Sequence, residues 1–192
     1  MFIDWIFAVP WLAFLIYWSV SALGVKKDTV AIAWWRRSWF RIFAIAVVLV
    51  ILSLDHVKIG AVWGRMGFFA PVSSGVWEAI GALLCWAGIA LAISARYCLG
   101  RNWSNHPDMK EGHELVTSGP YRFLRHPIYT GMLVALLGTM FLAGWFWLII
   151  FGVAAIVFVR RIRIEEGYML KLFPSEYPEY KKRTKALVPF VW

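Results

Sequence analysis

Most residues that could perform polar chemistry lie in the second half of this sequence. Three of the four histidines are found there, at His106, His113 and His126. Most acidic residues lie in the same half: Asp108, Glu111, Glu114, Glu165, Glu166, Glu176 and Glu179. Histidines and carboxylates can together bind a metal, move protons or hold a charged ligand. These histidines match neither HExxH nor a Cys/His zinc pattern, so the sequence predicts no metal site.

The stretch EGHELVTSGPYRFLRHPIYTG, residues 111–131, leads into an apolar segment. Gly119–Pro120 is a turn signal, and Pro127 suits the first turn of a helix. His126 is therefore predicted at the N-cap, where unpaired N–H groups and the positive end of the helix dipole favour an anion. Tyr129 should lie on roughly the same side. The alternative is a well-capped helix with interfacial tyrosine and arginine anchors.

A second polar stretch, RRIRIEEGYMLKLFPSEYPEYKKR, covers residues 160–183. Arg161 and Glu165 are four residues apart and can share a helix face, with Glu166 one step round. Charges at the end of a membrane helix are costly unless they face the bundle or water, which favours a functional role. The alternative is a surface ion pair worth about 0.2–0.5 kcal/mol. Residues 177–181 are predicted to form a short amphipathic helix that anchors at the membrane interface.

Composition indicates the kind of element that positions these residues. The chain of 192 residues is 61% hydrophobic and 18% aromatic, with a mean hydropathy of +0.65. Soluble domains are closer to half apolar. We therefore predict an all-α, polytopic integral membrane helix bundle. The net charge of +9 is then explained by topology and anionic lipid, and no nucleic acid partner is expected.

Five apolar segments are predicted to be transmembrane helices. They cover about residues 4–23, 39–54, 75–99, 128–143 and 145–159. The last two are short, so we expect a hairpin that turns at Gly144, with polar continuations beyond the hydrocarbon. The first segment lacks a basic n-region and a cleavage site, which predicts a retained helix. Cys85 and Cys98 fall in one segment and are predicted to be packing residues.

The distribution of basic residues predicts the orientation. With five spans, 18 of the 20 lysines and arginines fall on one side and only Lys58 and Arg65 on the other. The positive-inside rule then places the N-terminus outside and the C-terminus, with the polar stretches, in the cytoplasm.

Taken together, these pieces resemble the isoprenylcysteine carboxyl methyltransferase family, which is related to the phospholipid N-methyltransferases. The matching parts are the 111–131 stretch, a short helix hairpin, the EE pair and FPSEYPEYKKRTKALVPF. The resemblance implies one membrane domain over 1–192, with transmembrane helices in 1–95 and the methyltransferase-like catalytic part in 96–192. It also implies use of S-adenosylmethionine, release of S-adenosylhomocysteine, and no Rossmann domain.

The resemblance further implies the residues of the site. Arg161 is expected to be the catalytic residue that meets the acceptor's carboxylate, and Glu165, or Glu166 next to it, to complete the cofactor pocket. The other expected cofactor contacts are His106, His113, Glu114, Leu115, Val116, Tyr121, His126, Pro127, Ile128 and Tyr129. The expected acceptor is a lipophilic or lipidated molecule in the bilayer, with no obligatory protein partner.

Two other functions remain open on sequence grounds. A membrane sterol or steroid reductase that uses NADPH would need basic residues for the 2′-phosphate, and Arg122, Arg125 and Lys181–Arg183 could supply them. A non-enzymatic scaffold or transporter would leave Arg161 and Glu165 without a ligand.

Overall fold

The computed structural model describes residues 2–23, 75–100 and 114–188. These ranges contain five α-helices and no strand: α1 (Phe2–Leu23), α2 (Gly75–Leu99), α3 (Pro127–Ala143), α4 (Phe146–Leu172) and α5 (Glu176–Arg183). A 3₁₀ turn covers Gly119–Arg122. The helical class is confirmed, and α2 has the bounds predicted for the third apolar segment. The segment predicted at 39–54 lies outside the described residues.

The helices α2 and α3 pack closely through glycines. A Cβ built on Gly88 would lie 2.5 Å from the backbone nitrogen of Ala135 and from the carbonyl oxygen of Gly131. A Cβ on Gly138 would lie 2.5 Å from the backbone nitrogen of Cys85. Lipid tails are as apolar as leucine, so membrane helices associate largely through such van der Waals contact between small residues.

Helix α1 is joined to this pair by hydrogen bonds. The buried indole of Trp11 donates to the hydroxyl of Thr139 at 3.0 Å, and this hydroxyl donates to the carbonyl of Ala135 at 2.8 Å. Arg96, near the end of α2, donates to the carbonyl of Ser21 near the end of α1 at 3.0 Å. Because the C-terminal ends of α1 and α2 meet there, the two helices run in the same direction.

The outer surface of the bundle is apolar. Large side chains such as Ile16, Leu83 and Ile156 are 65%, 70% and 59% exposed. A surface of this kind is suited to lipid. Within the described ranges, Gly75–Leu99 is the one helix long and apolar enough to span a membrane, and Pro127–Ala143 is a shorter apolar helix. The number of spans therefore stays a prediction.

The helices α3 and α4 form the predicted hairpin. Gly144 connects them with φ +98°, a left-handed value that favours glycine, and its N–H donates to the carbonyl of Met140 at 2.9 Å. The 27 residues of α4 make a helix of about 40 Å. The hydrocarbon layer is about 30 Å thick, so a helix of this length is longer than the layer.

The predicted short helix of the tail is present as α5. Its predicted role as an interfacial anchor is wrong for Tyr177 and Tyr180, because both side chains are buried in the protein. Tyr177 and Tyr180 are only 2% and 3% exposed. The Tyr180 hydroxyl donates to the carbonyl of Tyr121 at 2.7 Å. The two rings pack on the protein, because the loop before α3 offers them a partner that the sequence pattern of the tail alone does not reveal.

Candidate functional site

A glycine-dependent turn leads the chain into α3. Gly119 has φ +59°, and a Cβ on it would lie 2.6 Å from the Sγ of Cys98. The positive φ favours glycine at this position, and any larger residue would also have to displace the Cys98 side chain. The 3₁₀ turn follows, with the Tyr121 N–H donating to the carbonyl of Ser118 at 3.2 Å. Pro127 then opens α3, as its missing N–H predicts.

Residues 184–188, which we call the strap, run beside this loop. The Lys185 N–H donates to the Phe123 carbonyl at 3.3 Å, and the Arg125 N–H donates back to the Lys185 carbonyl at 2.8 Å. The His126 N–H donates to the Ala186 carbonyl at 3.1 Å. The strap thus satisfies backbone groups that precede the first helical hydrogen bond of α3.

His126 is the N-cap residue of α3, as predicted, but its side chain makes no capping hydrogen bond. The imidazole instead lies between two carboxylates of α4. Its Nδ1 is 3.5 Å from an oxygen of Glu165, and its Nε2 is 3.6 Å from an oxygen of Glu166. The imidazole is therefore held by two ion pairs and not by the helix end.

Glu165 joins α3 to α4. Its Oε1 atom accepts two hydrogen bonds, one from Nε of Arg161 at 2.8 Å and one from the hydroxyl of Tyr129 at 2.6 Å. The Tyr129 ring stacks on Phe158, with 4.7 Å between centroids, and on His126 at 5.8 Å. The side chains of Arg161, Glu165, Tyr129 and His126 consequently form one cluster, which we call the α3–α4 cluster.

Apart from His126, which it shares with Glu165, Glu166 has a different set of partners. Its carboxylate accepts from Nε of Arg125 at 2.7 Å and pairs with Nζ of Lys181 at 2.6 Å. Arg125 lies in the loop before α3 and Lys181 lies on α5. The two adjacent glutamates of α4 therefore connect to different parts of the chain.

The charges of the site follow from these contacts. Burial opposes the charged imidazolium, but the carboxylates of Glu165 and Glu166 outweigh it and raise the pKa of His126. Burial likewise opposes ionisation of Glu165, and His126 with Arg161 overcomes it, so its pKa is lowered. For Glu166, His126, Lys181 and Arg125 overcome burial and lower the pKa to about 2. Arg125, Arg161 and Lys181 thus surround two carboxylates, an excess of one positive charge, to which a protonated His126 adds.

The structure brings together some of the predicted site residues and not others. Arg161, Glu165, His126 and Tyr129 share the α3–α4 cluster. Tyr121, Pro127 and Ile128 are buried beside it, in the loop and in the first turn of α3. Glu114 is exposed and Leu115 and Val116 are half-buried in the extended segment before the turn, with no hydrogen bond to the cluster among the described residues. His106 and His113 lie outside the described residues.

Arg125 and Lys181 are the residues that sequence reasoning missed. They appeared there only as phosphate-binding candidates for a reductase, whereas the structure pairs both with Glu166. A signal was present in the EE pair. Adjacent helix residues point about 100° apart, so one partner is not enough for two neighbouring carboxylates, and Glu166 needs partners beyond His126, which it shares with Glu165.

The sequence of this chain is similar to those of known methyltransferases. The family model for phospholipid methyltransferase matches residues 76–176. Protein-S-isoprenylcysteine O-methyltransferase B of Arabidopsis thaliana is 33% identical over 151 residues, covering 76% of this chain and 74% of the relative. Protein-S-isoprenylcysteine O-methyltransferase of Schizosaccharomyces pombe is 34% identical over 108 residues, covering 54% and 46%.

A solved structure is also similar. It is that of the eukaryotic intramembrane Ras methyltransferase ICMT (isoprenylcysteine carboxyl methyltransferase), with a TM-score of 0.55 and 27% identity. The match covers 71% of this chain and 53% of that one. This chain thus spans about three quarters of the Arabidopsis relative, but only about half of the S. pombe relative and of the solved structure.

The fold and the relatives define the class as a membrane-embedded methyltransferase. The chain belongs to the phospholipid methyltransferase family, among its isoprenylcysteine carboxyl methyltransferase members. The family and the enzyme class predicted from sequence are confirmed.

Proposed function

We propose that this protein transfers a methyl group from S-adenosylmethionine to the carboxylate of a lipophilic acceptor held in the membrane. The observation that carries the proposal is the position of the α3–α4 cluster. Arg161 and Glu165 lie on α4 just after its apolar part ends, and His126 lies at the start of α3. An acceptor with an apolar body in lipid would bring its polar end to this level.

The charge of the site favours a carboxylate over an amine as acceptor. Positive charge is in excess around Glu165 and Glu166, so an anion is attracted and a protonated phospholipid amine is repelled. A carboxylate is already ionised at neutral pH and needs no general base. Arg161 would hold and orient it, which supplies the geometry that an in-line displacement requires.

The same cluster fits S-adenosylmethionine. The Nε2 atom of His126 is buried and lies 3.6 Å from Glu166 without a hydrogen bond, so its N–H could turn to the ligand's carboxylate. Glu165 suits its ammonium group or ribose hydroxyls. The stacked rings of Tyr129 and Phe158 offer a face that attracts a sulfonium. When bound, S-adenosylmethionine supplies an electrophilic methyl group, and the C–S bond breaks as the C–O bond forms.

The chemistry of the product tests the acceptor class. Membranes containing the protein are incubated with methyl-labelled S-adenosylmethionine and either a prenylated cysteine with a free carboxylate or phosphatidylethanolamine. A methyl ester releases its label as volatile methanol in base, whereas an N-methyl group does not. We expect base-labile label on the prenylated cysteine. Base-stable label on the phospholipid would overturn the carboxylate proposal.

Mutation of α4 tests the assignment of roles. Arg161→Ala should lower turnover at least 100-fold while S-adenosylmethionine still binds, and Glu165→Ala should damage both turnover and binding. Arg163→Ala is the matched control, because Arg163 is exposed on the same helix. If Arg161→Ala and Glu165→Ala both melt early and the swap Arg161→Glu with Glu165→Arg restores activity, the pair is structural.

The reductase alternative has a separate test. Arg125 and Lys181, which a reductase would need for the 2′-phosphate of NADPH, are paired with Glu166 in this structure. S-adenosylhomocysteine should therefore raise the melting temperature of the detergent-purified protein, and NADP should not. Stabilisation by NADP alone would favour the reductase.

We also propose that the site faces the cytoplasm and that the N-terminus is outside. The imbalance of 18 to 2 among the basic residues supports this orientation. A five-span topology requires α1 and α2 to run in the same direction, and they do. Reporter fusions at the two ends should report opposite sides of the membrane. Both ends on one side would refute the topology.

A further inference from the structure

Glu166 has no part in the proposed chemistry, yet it is one of the few buried charged residues of the described ranges. The residue is 8% exposed, and a buried carboxylate is costly unless it is paired. Its two short ion pairs come from Arg125 and Lys181, which are far from it in sequence. A single carboxylate thus ties α4 to the loop before α3 and to α5.

Arg125 extends this connection to the strap. Its Nε donates to Glu166, while its Nη1 donates to the carbonyls of Thr184 at 2.5 Å and of Lys181 at 3.4 Å. The planar guanidinium has donors in a rigid fork, so it can hold several acceptors in one arrangement. Because Nε is bound to Glu166, Nη1 is directed toward the carbonyl of Thr184 at the start of the strap.

The strap in turn holds the loop that carries His126. The His126 N–H is bonded to Ala186, and the Thr130 hydroxyl, one turn into α3, donates to the carbonyl of Leu187 at 2.7 Å. Thr184, at the start of the strap, is itself fixed by its hydroxyl, which donates to the Tyr180 carbonyl at 2.6 Å. Any loosening of the strap would thus reach the backbone of His126 directly.

We propose that Arg125 and Glu166 are a positioning pair, which holds the strap on the loop before α3 and thereby keeps His126 in place for methyl transfer. This inference rests on the function proposed above. The pair acts through His126 and touches neither acceptor nor cofactor. Glu166 also lies 3.6 Å from Nε2 of His126, so it positions this residue both directly and through the strap.

The chain offers a matched control for this pair. Glu179 and Lys182 on α5 form an ion pair of 2.6 Å, as short as the one between Glu166 and Lys181, but their side chains are 67% and 72% exposed. Glu166→Gln and Glu179→Gln therefore remove the same charge from two equally short contacts. Exposed pairs contribute little, so Glu179→Gln should change neither structure nor activity.

The test combines methyl-transfer kinetics with hydrogen exchange of the full chain in detergent. In Glu166→Gln, we expect faster exchange of the Arg125 and His126 amides and a fall in kcat of at least 10-fold. Glu179→Gln should stay within twofold of wild type in both. Lost activity with unchanged exchange would overturn the role of the strap, because the effect would then come from the direct contact of Glu166 with the His126 imidazole or with a ligand. Unchanged activity and exchange would overturn it as well.

A milder variant covers the case in which Glu166→Gln does not fold. Lys181 is 44% exposed in its side chain, so Lys181→Gln should fold and weaken the pair partially. We expect a rise in exchange at the same amides with about a threefold fall in kcat, and no change in either would overturn the proposal. Hydrogen exchange can be measured whether or not the protein transfers a methyl group. If the strap loosens in Glu166→Gln but the wild type transfers no methyl, the proposed function fails and the structural part of the inference stands.

Discussion

Two regions of this protein are held together by opposite means. The interface between α2 and α3 has glycines at Gly88, Gly131 and Gly138, and its helices touch backbone to backbone. The region where α3 begins and α4 ends has buried side chains that are charged and paired over 2.6–2.8 Å. The first region should therefore be sensitive to added atoms, and the second to removed charge.

The difference follows from where each region lies. In lipid a charge is costly, and helices associate mainly by packing. The size of the residues at the interface therefore decides how closely two helices can approach. At the end of the apolar layer, charges can be paired and reached by water, so chemistry can be placed there. The predictions below separate the two regions by changing size in one and charge in the other.

The largest effect should come from adding a side chain to the glycine interface. In Gly138→Val the new Cβ would lie 2.5 Å from backbone atoms of Cys85 and Gly81, so the helices must separate. Overpacking of this kind should cost about 3 kcal/mol or more. Gly152→Val is the matched control, since nothing lies within 4 Å of its Cβ position. Thermal melting in detergent should show a large loss for the first and almost none for the second; equal melting would contradict the close packing.

Removing the imidazole should weaken cofactor binding without unfolding the bundle. Glu165 keeps Arg161 and Tyr129 as partners in His126→Ala, so the fold should persist. Loss of a charge-assisted contact should cost about 1.5–3 kcal/mol of S-adenosylmethionine affinity, measured by calorimetry. Phe123→Ala, exposed in the same loop, should bind normally. Unchanged affinity in a folded His126→Ala would remove His126 from the cofactor site.

The charged region should also respond to acid. The pKa of Glu166 in the folded protein is about 2, below its ordinary value of 4.5. Its ion pairs therefore stabilise the fold fully above about pH 4.5, and this stabilisation is lost as the pH falls towards 2. The raised pKa of His126 acts in the other direction, since its stabilisation is present below about 6.5 and is lost as the pH rises through the folded value. The melting temperature of wild type should therefore exceed that of Glu166→Gln most at pH 5 to 6. The gap should shrink as the pH is lowered towards 3, and a constant gap would argue against the pairing.

A small effect is expected from the polar contact within the apolar layer. Thr139→Val keeps the shape of the side chain but removes the acceptor for the Trp11 indole. Hydrogen bonds between membrane helices contribute about 0.6 kcal/mol on average, so melting should fall only slightly. Ser94→Ala is the control, because the exposed Ser94 hydroxyl bonds only within its own helix. A loss comparable to that of Gly138→Val would mean that hydrogen bonding, and not packing, holds this layer.

The parts of the fold that depend on local patterns could be predicted from sequence. The bounds of α2 follow from a long apolar run, the start of α3 from Pro127, and the turn before α4 from Gly144. The proximity of Arg161 and Glu165 follows from helical spacing alone. The meeting of His126 with Glu165 came from the family resemblance, and the structure is consistent with it.

The contacts that join distant parts of the chain could not be predicted. Glu166 could have paired with any of the many basic residues nearby in the tail, and nothing in the spacing selects Arg125 and Lys181. The backbone pairing of the strap with residues 123–126 has no side-chain signal at all, since any sequence can form such hydrogen bonds. The burial of Tyr177 and Tyr180 depends on the same pairing and was missed with it.

The strap has a consequence for the order in which the protein matures. Chains are made from the N-terminus, and early segments fold while later ones are still being synthesised. Because Ala186 follows His126 by 60 residues, α3 can leave the ribosome before the strap does. Until Ala186 and Leu187 leave the ribosome, the backbone of His126 and the hydroxyl of Thr130 lack the partners that they have in the finished structure. The loop before α3 is thus completed only when the strap is in place, after α3 itself has formed.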